Sequence, residues 1–142
     1  IKSDNLIIYG FEVRKLNYMR QDLLEELVQL KKKIDPDLVF MPSPNDLHQD
    51  HHTVAMEGLR AFKQTSILAY EVPWNNLKFE NQCFVKLEER HVEQKVYALD
   101  AYNSQKTRFY AKAEFIYSLA KTRGVQVNTE YAETFEVIRW II

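Results

Sequence analysis

The chain has 142 residues, enough for one ordinary domain. Hydrophobic residues make up 46% and aromatics 13%, which provides for a buried core and excludes a disordered tail. The 19 Lys and Arg nearly balance 20 Asp and Glu, and the formal net charge of -1 argues against a broad basic surface for nucleic acid or acidic membranes.

One cysteine, Cys83, excludes an internal disulfide framework and a cysteine-rich zinc module. No apolar run approaches the roughly 20 residues that span a bilayer. The chain opens on Ile1 rather than Met, and no signal-peptide pattern follows. The expected location is therefore cytoplasmic.

Leu6-Ile7-Ile8-Tyr9, closed by Gly10, reads as a buried strand. From about Tyr18, apolar residues recur at three- and four-residue spacing through Leu23, Leu27, Leu30 and Ile34, which predicts an amphipathic helix. It stops at Asp35-Pro36-Asp37, because proline disfavours helical geometry in the residue before it. Leu38 to Met41 reads as a short buried strand, and Pro42-Ser43-Pro44-Asn45-Asp46 breaks regular structure. A helix is expected from about His52 to Phe62, then a strand over Ile67 to Tyr70. Phe84 and Lys86 mark a weaker strand. Helices follow from about Glu88 to Tyr102 and from Phe109 to Arg123, the latter closed by Gly124 as a C-terminal cap. Thr134 to Ile142 reads as a final strand. Short strands alternating with helices predict a single α/β layered domain with a mostly parallel sheet.

Three of the four histidines fall within His48-Gln49-Asp50-His51-His52, between a strand and a helix. In open α/β sheets, ligands bind outside the carboxyl ends of the strands. Imidazole is the commonest protein metal ligand, and a carboxylate beside it can fix its orientation. His48 and His51 can face one cleft. A catalytic zinc takes three protein ligands and an open position, so this segment supplies one or two of them. The competing reading makes Asp50 a helix cap and the histidines incidental. His91, among Glu88, Glu89, Arg90 and Glu93, reads as a solvated surface residue.

The stretch Phe40 to His52 resembles the second metal motif of the PIG-L/LmbE family of zinc-dependent N-acetyl deacetylases, with His48, Asp50 and His51 in register with its His-x-Asp-His core. Lys95 through Tyr102-Asn103-Ser104-Gln105 resembles that family's Tyr-x-Ser-Gln segment, and Tyr131-Ala132-Glu133-Thr134-Phe135-Glu136 its closing strand. The resemblance implies a Rossmann-like fold and removal of an N-acetyl group from an amino-sugar substrate by a zinc-activated water. It implies His51 as a zinc ligand and His48 as the group at the acetyl carbonyl or leaving amine. Asp50 would orient His48. Trp74 and Asn75, on the same side of the sheet, suit a sugar, or form a turn whose tryptophan packs on the core.

The family's first motif, Ala-His-Pro-Asp-Asp, has no counterpart here. On this comparison the chain matches the later part of the domain, without its leading strand or strands, its base and two zinc ligands. Either the front lies outside this sequence or it is absent in nature. The chain alone is expected to be inactive and to bind zinc weakly or not at all. An exposed sheet edge would favour self-association. Two rival readings are a non-catalytic binding module on a decayed deacetylase fold, and a phosphoesterase read from Asp50-His51-His52. The polar segment before that triplet disfavours the second.

Overall fold

A computed structural model describes residues 5–142. Among these residues, four α-helices and four strands follow one another: α1 (Arg20–Ile34), β1 (Leu38–Pro42), α2 (Gln49–Ala61), β2 (Ser66–Tyr70), β3 (Cys83–Leu87), α3 (Glu89–Asp100), α4 (Ala113–Gln126) and β4 (Tyr131–Arg139). The strands form one sheet in the order β1-β2-β4-β3.

Helix α1 carries Asp22 in its first turn and Lys31, Lys32 and Lys33 in its last, matching both ends of the helix dipole. It ends at Asp35, forced out of the helical region ahead of Pro36 into φ 46°. Its apolar stripe, with Leu24, Leu27 and Val28, packs on a buried cluster of Met41, Ala61, Phe62 and Ile67. This core joins α1 and α2 to one face of β1 and β2. A second core lies at the β4 end, where Val92 of α3, Ile116 and Ala120 of α4 and Tyr131 of β4 close together.

The sheet departs from the expected mostly parallel arrangement. Among the described strands only β1 and β2 run parallel, as the two strands of a crossover through α2. Strand β4 inserts between β2 and β3 and runs antiparallel to both. Apolar periodicity reports which face of a strand is buried and carries no information about its direction, so sequence pattern could not show this. The α/β class holds.

Three local expectations are also corrected. Leu6 to Tyr9 forms no strand; Ile8 is 81% exposed, because no strand among the described residues offers it a ladder. Strand β4 begins at Tyr131, three residues before the expected start. Gly124 does not cap α4 but lies buried inside it, and the helix runs on to Gln126. The left-handed residue of the following turn is Asn128, at φ 54°. Gly124 is needed for a close approach: a Cβ there would stand 2.6 Å from the carbonyl oxygens of both Thr129 and Glu130.

Gly124→Ala is therefore expected to destabilise the protein by about 1–3 kcal/mol, the usual cost of overpacking against backbone that cannot yield. An unpacked helix interior would instead gain stability from the same change. Urea unfolding of the two proteins distinguishes these signs.

Candidate functional site

The parallel strands β1 and β2 deliver their following loops to the same end of the sheet, where α/β folds hold ligands. After β1 the chain is anchored at Ser43, which is fully buried. Its Oγ donates to Oε2 of Glu136 on β4 at 2.8 Å and accepts the Asn45 N–H at 3.1 Å. After β2, the Val72 carbonyl accepts the N–H groups of Asn75 and Asn76, and the Asn76 side-chain oxygen accepts the Val72 N–H at 2.6 Å. The two loops are then tied together. Leu47 N–H donates to the Asn75 carbonyl at 2.9 Å, Leu77 N–H donates to the Asn45 carbonyl at 3.1 Å, and Asp46 and Asn76 form an antiparallel bridge.

Asp46 sits at the centre of this join with its side chain fully buried. Oδ1 accepts the backbone N–H of His48 at 2.7 Å, and Oδ2 lies 2.8 Å from His51 Nδ1. His48 is the N-cap of α2, and its Nδ1 accepts the Asp50 N–H at 3.2 Å. One helical turn separates His48 from His51, and their rings stack with centroids 4.5 Å apart. Each ring is held at Nδ1, and among the described residues neither Nε2 has a protein partner. His52 turns away and bonds the Pro44 carbonyl through Nδ1 at 2.9 Å.

Asp50 lies beside the pair, but its carboxylate does not reach the His48 ring. Oδ2 accepts the Arg14 N–H at 2.7 Å, while Oδ1 is buried without a partner among the described residues. Gln49 Nε2 donates to the Arg14 carbonyl at 2.8 Å. Both peptide groups of Arg14 are thus bound by the first turn of α2, and this holds Arg14 at φ 68°, a conformation costly for a side-chain-bearing residue. Two turns beyond Asp50 on the same face of α2 lies Glu57, fully buried, which accepts from Arg20 at 2.6 Å and Arg60 at 2.5 Å. A buried carboxylate is tolerable only with such partners.

The structure brings His48 and His51 together and sets Asp50 next to them. It places Trp74 on the neighbouring loop, where the indole stacks on Tyr110 at 4.0 Å and meets the edge of Phe115, with about half its surface exposed. Asn75 serves the join through its backbone. His91 is not merely solvated: its Nδ1 accepts the Glu88 N–H at 3.0 Å and completes a capping box on α3. Sequence reasoning missed Asp46, which reads as one more breaker in the Pro42–Asp46 loop. The available signal for Glu136 was a carboxylate inside a strand of aromatic and β-branched residues.

Among the described residues, no group of three or more His, Cys, Asp or Glu side chains is arranged to hold a metal ion. A catalytic zinc requires three protein ligands. The described residues therefore do not complete a zinc site.

No family model matches the sequence. Several solved structures share the fold. The conserved protein TT1542 from Thermus thermophilus superposes with a TM-score of 0.69 at 20% identity, over 85% of this chain and 60% of its own. The zinc-inhibited form of teicoplanin deacetylase Orf2 gives 0.68 at 16% identity, over 99% and 59%. GalB, the 4-carboxy-2-hydroxymuconate hydratase of Pseudomonas putida, gives 0.58 at 19%, over 86% and 60%. This chain spans about 60% of the length of each. A deacetylase and a hydratase on one fold show that the architecture alone does not select the reaction.

Tyr70, at the end of β2, has its phenol pKa raised by burial first and by the negative charge of Asp46 second. Both causes penalise the phenolate. Removing the charge in Asp46→Asn is expected to let Tyr70 ionise at lower pH, measured by titrating its ring carbon resonance in the two proteins.

Proposed function

We propose that this chain is the histidine-bearing part of an enzyme that hydrolyses the N-acetyl group of an amino-sugar substrate. The observation that carries the reading is the stacked His48–His51 pair at the start of α2, each ring held at Nδ1 with Nε2 left for a reactant. The sequence resemblance over the same residues, and the deacetylase among the structural neighbours, support it.

Amide hydrolysis needs a donor for the oxyanion that forms at the carbonyl carbon, and a proton for the departing amine. His48 is assigned to this side of the reaction, with its Nε2 facing the acetyl group. His51 is assigned as one ligand of the zinc that the resemblance implies. Since the described residues do not complete that site, the attack of water is not built from them. Asp50 is assigned a supporting role, holding the Arg14 backbone against the first turn of α2. Trp74 and Asn75, on the loop joined to the histidine loop, are assigned to the sugar, with the exposed part of the indole as its platform.

The protein expressed from its complete reading frame is expected to release acetate from N-acetylglucosamine-containing substrates in the presence of zinc. His48→Ala should lower kcat by about 10²- to 10⁴-fold, the usual contribution of a general acid or base. Absence of acetate release from every N-acetyl amino sugar tried, or an undiminished His48→Ala rate, overturns the proposal. For the 142-residue chain by itself, calorimetric titration should show no submicromolar zinc binding. Such binding, abolished by His51→Ala, would contradict the one-ligand assignment.

A further inference from the structure

We infer that Asp46 is a positioning residue that fixes on His51 the tautomer opposite to the one the Asp50 amide fixes on His48, so that His51 presents an acceptor and His48 a donor. The inference rests on reading these two histidines as the reacting pair, and its test needs neither substrate nor metal.

The tautomer of each ring follows from what its Nδ1 touches. An ionised carboxylate can only accept hydrogen bonds. With Asp46 Oδ2 at 2.8 Å, His51 Nδ1 carries the proton, and a neutral imidazole then keeps a lone pair on Nε2. A backbone N–H can only donate. With the Asp50 N–H on His48 Nδ1 at 3.2 Å, that nitrogen holds the lone pair, and the proton sits on Nε2. Two chemically identical side chains one turn apart therefore become unlike, because one faces a carboxylate and the other an amide.

Asp46 has no freedom to relax from this arrangement. Its Oδ1 holds the His48 N–H at 2.7 Å, its own N–H donates to the Ser43 carbonyl at 3.1 Å, and its backbone bridges Asn76. One buried carboxylate thus orients the ring of His51 and the backbone from which His48 projects.

An isosteric change inverts the device. In Asp46→Asn the side-chain oxygen remains the acceptor for the His48 N–H, which turns the NH₂ group toward His51 Nδ1. That nitrogen must then accept, and the proton moves to Nε2. The acceptor at His51 Nε2 becomes a donor without loss of side-chain volume.

The test is long-range proton–nitrogen NMR on ¹⁵N-labelled protein at a pH where the imidazoles are neutral, with His48→Gln and His51→Gln assigning the signals. The wild-type protein is expected to show His51 protonated at Nδ1 and His48 at Nε2. Asp46→Asn should move the His51 proton to Nε2 and leave His48 as it was. An Nε2-protonated His51 in the wild type, or an Nδ1-protonated His51 in Asp46→Asn, overturns the inference. Should Asp46→Asn fail to fold, the wild-type spectrum decides alone. The tautomers as stated with no acetate release would overturn the proposed reaction and leave the role of Asp46 standing. Deacetylation with the wrong tautomers would do the reverse.

Discussion

The arrangement at the head of α2 depends on burying the Asp46 carboxylate. Taking an ionised carboxyl group out of water costs several kcal/mol unless both oxygens find donors. Here the donors are the amide of His48 and the ring of His51, so the loop satisfies Asp46 only by assembling the two histidines. Asp50 shows the contrast. One of its oxygens is matched by the Arg14 amide, while the other is buried without a partner among the described residues.

Around this centre the supports are redundant and come from distant parts of the chain. Ser43 and Glu136 are 93 residues apart in sequence, and their hydrogen bond joins the loop after β1 to the middle of β4. Glu57 ties α2 to Arg20 at the start of α1, with Arg60 of the same helix as its second partner. The left-handed Arg14 is held by side chains of Gln49 and Asp50. Each device uses a charged or polar group that is buried or bound at its two ends. Together they position the pair by hydrogen bonding more than by apolar packing, which lies farther away around Ile67 and Val92.

Much of this was legible in the sequence, and the limits have physical causes. The helices α1 and α2 and the strands β1 and β2 were readable because each shows apolar residues at its own period, and Pro36 marks a stop that proline stereochemistry enforces. His48 and His51 stood out by their spacing. Asp46 did not, because its value comes from burial and from a bridge to Asn76, thirty positions away, and neither is written locally. Gly124 is ambiguous in the sequence because a glycine near a helix end signals either a cap or a close contact, and only the neighbouring turn at Thr129 and Glu130 decides which. Leu6 to Tyr9 has the composition of a strand and lacks a described partner, and composition cannot supply one.

The central position of β4 also governs the order of events during synthesis. Strands β2 and β3 are never neighbours; each is bonded to β4, which spans residues 131–139. While the ribosome is still making α4, β1 and β2 can pair through their local crossover, but β3 has no strand to join among the described residues. Glu136 reaches Ser43 later still. The sheet and the loop that carries the histidines are therefore completed by the same long-range closure, which costs the entropy of bringing segments 93 residues apart together. The histidine loop and the sheet thus share one long-range closure.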